Sequence, residues 1–284
     1  MQLQAGDLVL CSGTLERGVP FAERLAAAQA GGFDGVSLWA RDYQSAREEG
    51  HSDLDLNTML DDYGLSVAEF DPAWWWLPGA SEVHIPSEFD RDDIFRFKEA
   101  EFLAMAATLN ARSVNAVDIF GGTWTTEEAA ESFAHLCGRA AEFGLLVHLE
   151  FLPWSRIPDL ATAWKIVQMA DERNGGVAID SWHYFRGAPN EKLLRSIPGD
   201  RIMNIQLSDA PVQAESNLIE ATLHDRLLPG AGDLGLVSLI ADLRAIGANA
   251  PIGVEVFSDA LRLLPAADGA RLSGEAVRQL LTFG

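Results

Sequence analysis

The sequence predicts an α/β protein folded as a (β/α)8 TIM barrel, one domain over residues 1–284. Three observations carry this. Apolar runs of strand length alternate with helical segments eight times, at roughly 30-residue spacing. Four of those runs, in successive units of the second half, end in Glu150, Asp180, Gln206 and Glu255. Neither a linker nor a low-complexity tract divides the chain. The rival, a doubly wound open sheet, usually carries a glycine-rich turn after its first strand, and Cys11-Ser-Gly-Thr is a poor version of one.

Taken in order, Asp7 to Cys11 is a short apolar run and reads as the first strand. Phe21 to Ala30 is alanine-rich and helical, stopped by Gly31-Gly32. The second strand is Phe33 to Trp39, and a helix from Asp53 to Tyr63 is stopped by Gly64. The third strand runs from Leu65 to Phe70, followed by a long excursion from Asp71 to about Arg91 that holds Trp74, Trp75 and Trp76. A helix spans Asp92 to Asn110 and leads to the fourth strand, Ser113 to Val117. Thr125-Thr-Glu-Glu opens a capped helix ending at Gly144, and the fifth strand then carries Glu150. A helix from Pro158 to Glu172 and the Asn174-Gly175 turn precede the sixth strand, which closes on Asp180. Asn190 to Ser196 is helical, and the seventh strand carries Gln206. The loop from His224 to Gly232 leads to a helix from about Leu234 to Ile246, the eighth strand with Glu255, and a final helix from Ser273 to Leu281.

The totals narrow the function. The 48% hydrophobic content is ample for a core. With 21 Lys plus Arg against 42 Asp plus Glu, the formal net charge of -21 argues against a nucleic-acid partner. Cys11 and Cys137 form neither a zinc cluster nor a disulfide framework. No apolar stretch approaches the roughly 20 residues that span a bilayer, and no basic flank precedes a continuous apolar segment. The expectation is a soluble cytoplasmic protein with no membrane partner.

In a barrel the C-terminal ends of the strands share one mouth, so Glu150, Asp180, Gln206 and Glu255 converge there. Taken singly, each is a strand-end side chain capping a neighbouring helix. As a set they need a cation, because three carboxylates a few ångströms apart otherwise force protonation. Their oxygens suit a divalent metal ion, Mn2+ first with Mg2+ or Co2+ as alternatives, better than a structural zinc. Three acids and one amide around such an ion leave a charge of about -1, which favours a neutral chelating substrate over a phosphate.

The segments Leu149-Glu-Phe-Leu-Pro-Trp154, Asp180-Ser-Trp-His183, Gln206-Leu-Ser-Asp209, Arg226-Leu-Leu-Pro-Gly230-Ala-Gly232-Asp233 and Gly253-Val-Glu255-Val resemble the xylose-isomerase-like TIM-barrel superfamily. That superfamily includes sugar-phosphate isomerases/epimerases, ketose 3-epimerases, inosose and 3-dehydroshikimate dehydratases, and eliminases of oxidised glycosides. The resemblance is strongest from Leu146 to Ser258. It implies that Glu150, Asp180, Gln206 and Glu255 hold a divalent metal, with Glu150 and Glu255 as acid/base groups on opposite faces of the substrate. It also implies a substrate-hydroxyl contact for His183. For Arg226 it implies aim at the substrate or at a catalytic carboxylate, and a surface salt bridge is the other reading. The third ligand of ketose 3-epimerases is typically histidine; Gln206 resembles dehydratase members instead and moves the weight toward a lyase.

Other side chains bear on the mouth. His148 faces the same way as Glu150 by strand alternation, so it is either a deeper substrate contact or a buried packing histidine. Arg156 and Arg186 follow the fifth and sixth strands and read as exposed salt bridges. Three adjacent tryptophans cannot all point inward, so one of them, with Trp76 as the substrate-binding candidate, covers the mouth or a homo-oligomer interface. Packing under the loops is the alternative.

The function expected is metal-dependent abstraction of a proton α to the carbonyl of a keto-sugar or keto-cyclitol, of isomerase/epimerase type. The alternative is a lyase, a dehydratase or β-eliminase acting on a keto-polyol or glycoside-like molecule, since the same first step serves both. Two other classes fit less well. A hydrolase of this fold needs a histidine-rich zinc cluster, and only His148, His183 and His224 lie near the relevant strand ends. A silent barrel acting as a binding subunit would leave the convergent acids without a role.

Overall fold

The computed structural model describes residues 3–82, 96–119 and 121–283. Eight parallel strands close into a barrel in chain order. They are β1 (Leu8–Leu10), β2 (Gly35–Trp39), β3 (Ser66–Ala73), β4 (Ser113–Val117), β5 (Leu146–Glu150), β6 (Gly175–Asp180), β7 (Ile202–Leu207) and β8 (Ile252–Val254). Each is covered on both faces, which is why the strands read as near-continuous apolar runs rather than alternating ones.

The helices between them are α1 (Phe21–Ala30), α2 (Ala40–Glu48), α3 (Asp53–Asp62), α4 (Glu99–Thr108), α5 (Thr126–Ala141), α6 (Leu160–Ala170), α7 (Ser181–Arg186), α8 (Glu191–Leu194), α9 (Leu218–His224), α10 (Leu236–Ala245), α11 (Asp259–Arg262) and α12 (Ala266–Leu281). Local chemistry starts several of them. Ser52 and Asp55 form a reciprocal capping box on α3, Thr125 and Glu128 another on α5, and the Asp159 carboxylate caps α6.

The strand order agrees with the sequence reading, and the departures have physical causes. β3 continues past Phe70 through Asp71 and Pro72 to Ala73, although proline lacks the ladder donor that marks a strand in sequence. The Asp71–Pro72 bond is cis. Of the helix expected over 92–110, α4 occupies Glu99–Thr108, and residues 92–95 lie outside the described residues. Helices α2 and α7 begin on the residue after a strand, so no loop composition announces them. α12 begins at Ala266 rather than Ser273, because Gly269 and Gly274 weaken its helical signal. Gly274 has a packing reason: a Cβ there would lie 2.2 Å from the carbonyl oxygen of Gly31, so its absence lets α12 seat directly on the end of α1. Among the described residues, no helix is long and apolar enough to cross a membrane.

Candidate active site

Strand alternation builds the site. On β5 the inward residues are His148 and Glu150, and on β7 they are Asn204 and Gln206. β6 ends on Asp180, paired in register with Gln206. Glu255 lies one residue past β8, but its amide still donates to the Leu207 carbonyl, so it keeps the sheet's phase. All four of these polar side chains are buried.

Arg226 ties the cluster together. The loop after β7 folds back as a two-residue bridge, Asp209 and Leu227 exchanging backbone hydrogen bonds of 2.8 Å, while the Arg226 amide donates to the Phe257 carbonyl. Gly232 is required there, since a Cβ would meet the Ala210 carbonyl at 2.5 Å. The guanidinium, 1% exposed, donates to Asp180 Oδ2 at 2.7 Å and to Glu255 Oε2 at 3.3 Å. Its other amino group lies 3.2 Å from His183 Nε2. A guanidinium can only donate, so Nε2 accepts and the His183 proton is assigned to Nδ1. The other oxygen of Asp180 accepts from the His183 amide at 2.8 Å and caps α7. Asp180 therefore does cap a helix, and it pairs with a buried cation as well.

On the opposite flank, Asn115 Nδ2 donates to Glu150 Oε2 at 2.6 Å and to Asp71 Oδ1 at 2.8 Å. Glu150 Oε1 faces His183 Nε2 at 3.6 Å. Deeper in the barrel, Glu69 accepts from Asn204 and from Gln206 Nε2, and its other oxygen meets His148 Nε2 at 2.9 Å. Gln206 Nε2 also donates to Glu255 Oε1 at 3.2 Å.

Of these five carboxylates Asp180 and Glu255 contact the guanidinium, and the acidities of the cluster record the excess of negative charge. Burial, then the charges of Asp71 and Asp180, push the Glu150 carboxyl well above its usual range. Burial raises Glu255 likewise; the nearby Arg226 opposes this, and Glu150 and Asp180 reinforce it. Burial also pushes Asp180 up, but Arg226 and His183 outweigh it and the net direction is down. Burial drives His183 down to about 3, so the ring is neutral.

These residues fit a divalent cation. Gln206 Oε1 is buried without a hydrogen-bond partner, because the amide spends its donors on Glu69 and Glu255. An orphaned carbonyl oxygen beside carboxylates with unmet charge is what a cation satisfies. Ligand atoms of Glu150, Asp180 and His183 all lie within 4.8 Å of one another, which makes His183 a further candidate ligand that sequence reading had set apart.

The remaining expected residues fall elsewhere. His148 is fully buried against Glu69 beneath the acids. Trp76 is not brought to the acids: it packs edge-on against Phe133 of α5 and donates to the Val117 carbonyl, on the helix side of the barrel wall. Its apolar ring is covered by the outer helix layer. Trp75 packs on Phe102 of α4, and the tryptophans beside His183 are Trp154 and Trp182, with ring centroids 5.5 and 5.4 Å away. Arg186 is buried rather than exposed, bonded through two nitrogens to Glu215 and to the Pro211 carbonyl.

Sequence reasoning missed Glu69, Asp71 and Asn115. Burial first, then the charge of Glu69, raises Asp71 to about 8 against hydrogen bonds from Asn115 and Trp39. A carboxyl whose folded pKa is raised stabilises the fold in acid and loses that contribution as pH climbs through the folded value. In chelator, the melting temperature is therefore expected to fall as pH rises from about 4 to about 8, and less steeply in Asp71→Asn. Identical slopes in a thermal-melt pH series would contradict this placement of Asp71.

Residues 25–280 match the family model described as a xylose isomerase-like TIM barrel. The 3-dehydroshikimate dehydratase of Pseudomonas putida is 30% identical over 271 residues, which is 93% of this chain and 40% of that protein. The chain therefore spans about two-fifths of the length of that relative. Inosose isomerase of Bacillus velezensis is 24% identical over 261 residues, covering 85% of this chain and 91% of its own. A solved IOLI protein with a bound zinc atom superposes with a TM-score of 0.82 at 19% identity, over 98% of this chain and 99% of that one. With the closed barrel and the strand-end acids in hand, these likenesses establish that the chain belongs to the xylose isomerase-like TIM-barrel family.

Proposed function

We propose that this barrel is a divalent-metal-dependent lyase that removes water from a cyclic keto-polyol after abstracting the proton next to its carbonyl. The observation that carries the choice of lyase is the 3.6 Å approach of Glu150 Oε1 to His183. A proton carrier and a neutral imidazole, its accepting Nε2 toward Glu150 and its proton on Nδ1, lie on one side of the cavity, as elimination from a single face requires. Epimerisation needs a second carrier on the opposite face, and its candidate, Glu255, is tied by Arg226 and Gln206. The dehydratase named among the relatives supports the same choice.

A divalent ion held by Glu150, Asp180, Gln206 and Glu255, with Mn2+ the expected one and Mg2+, Co2+ or Zn2+ as alternatives, supplies Lewis acidity at the substrate carbonyl. Glu150 Oε1 takes the carbon-bound proton, and the C–H electron pair moves toward the carbonyl. That pair then forms a C=C bond as the β C–O bond breaks. Glu150 returns its proton to the departing oxygen, which leaves as water. Arg226 holds Asp180 ionised and fixes the His183 tautomer. His183 Nδ1, buried without a partner in the protein, then donates to a substrate hydroxyl.

An isomerase/epimerase reading has one specific support: the Glu255 carboxyl also holds a proton well above its usual range, three strands round the barrel from Glu150. Incubating the chain with Mn2+ in heavy water, with 3-dehydroshikimate and with an inosose in parallel, separates the two. Water loss, read as rising conjugated absorbance and abolished by chelator, is the expected result. Solvent deuterium entering recovered substrate or an epimer without water loss would favour isomerisation. Neither reaction with either compound would overturn both readings.

A further inference from the structure

Beneath the acid cluster the barrel interior is polar, where such interiors are ordinarily filled by branched apolar side chains. Glu69 of β3, His148 of β5 and Asn204 of β7 stand on alternate strands and meet as one buried layer. His148 Nε2 lies 2.9 Å from Glu69 Oε1, and Asn204 Nδ2 donates to Glu69 Oε2 at 3.0 Å. A carboxylate only accepts, so the His148 proton is assigned to Nε2. An apolar layer of the same volume would be at least as stable as this buried acid and its partners. Proton transfer at Glu150 leaves the layer without a task.

The layer reaches the mouth through Gln206, two residues beyond Asn204 on the same face of β7. Gln206 Nε2 donates to Glu69 Oε2 at 3.3 Å and to Glu255 Oε1 at 3.2 Å. With the nitrogen turned to these two acceptors, Oε1 is left buried without a hydrogen-bond partner. A primary amide exchanges its two ends by half a turn about its last bond, and only the oxygen ligates a cation. Turned over, Gln206 would set its oxygen against Glu69, acceptor facing acceptor. The two carboxylates that prevent this are not equivalent. Glu255 belongs to the proposed ligand set, and an oxygen drawn to a cation is a weaker acceptor for the amide. Glu69 lies outside that set, so its hold on Gln206 survives loading.

We propose that Glu69 is a positioning residue that locks the Gln206 amide with Oε1 toward the cation, and that His148 and Asn204 hold Glu69 in place. The role rests on the cation site proposed above, and it is the same whether water loss or isomerisation follows.

The test reads Mn2+ affinity of the full chain, by equilibrium dialysis with electron paramagnetic resonance, in Glu69→Met and Glu69→Asp. Each is made alone and together with Gln206→Leu. Methionine removes both the charge and the acceptor, whereas aspartate keeps the charge and is one methylene too short to hold the amide. Both are expected to weaken Mn2+ binding about tenfold or more while Gln206 is present. Beside Gln206→Leu, which has no amide to turn, neither should change the affinity by more than about twofold. Through-space attraction between the Glu69 charge and the cation gives another pattern. Glu69→Met would then lose affinity equally in both backgrounds, and Glu69→Asp would bind like the wild type. That pattern, or wild-type affinity in both variants, would overturn the positioning role and leave the cation site standing. Should one variant melt early in chelator, the other decides alone, because the contrast between the two backgrounds is read in each. A wild-type chain that holds no Mn2+ would overturn the positioning role and the cation site together.

Discussion

Replacing Glu150 by glutamine is expected to lower kcat about 10³-fold or more while leaving the metal-free protein at least as stable as the wild type. The two halves of that result have one cause. Glu150 is the carboxylate whose Oε1 is left facing His183 while Asn115 holds Oε2, so the group proposed to move the proton cannot be replaced by an amide. Burial and the charges of Asp71 and Asp180 make its ionised form costly, and the amide removes that cost without changing the shape of the side chain. Stopped-time turnover and thermal melts in chelator check both halves. Activity within about tenfold of wild type, against the 10²–10⁴-fold expected for a positioned acid/base group, would show that the proton moves elsewhere.

Arg226→Met is expected to cost about 3–5 kcal/mol of unfolding free energy in chelator, the range for removing one partner of a buried ion pair. Methionine fills much of the volume, so the loss reports Asp180 and Glu255 left without the guanidinium that contacts both. The sign with pH follows from Asp180, whose folded pKa is depressed. Its contribution is present above the unfolded value of about 4 and disappears as pH falls through the folded value, so the penalty shrinks in acid. Adding a divalent cation at about one hundred times its Kd should return roughly 2.7 kcal/mol by mass action. Denaturant titrations across pH, with and without Mn2+, measure all three effects. A penalty independent of both pH and metal would mean that Arg226 only fills space.

How much of this was legible in the sequence depends on where each polar residue stands relative to a strand. Glu150, Asp180 and Gln206 stand out because a carboxylate or amide closes an apolar run. Glu255 does so even though its strand is only three residues long. Glu69 and Asp71 repeat the two-residue spacing of His148 and Glu150 on one strand face, a signal that was present. It is hidden because Pro72 makes the strand read as finished at Phe70. Asn115 is the middle residue of an apolar strand, and the alternation that turns it inward marks it as well as it marks His148. The target of Arg226 could not be read, because the bridge between Asp209 and Leu227 sets it and no local pattern announces that contact. Where Trp76 packs could not be read for a related reason. Which of three neighbouring tryptophans turns outward depends on the Phe133 ring of a helix more than fifty residues downstream.

The central claim is that Glu150, Asp180, Gln206 and Glu255 form one divalent-cation site. Equilibrium dialysis against Mn2+, read by electron paramagnetic resonance, tests it most directly on the wild type beside Asp180→Asn and Gln206→Leu. The account predicts one tightly held ion per chain, with affinity falling about tenfold or more in each variant, as Asp180→Asn removes a ligand's charge and Gln206→Leu a ligand oxygen. An undiminished Mn2+ affinity in both variants, or no bound ion in the wild type, would contradict it.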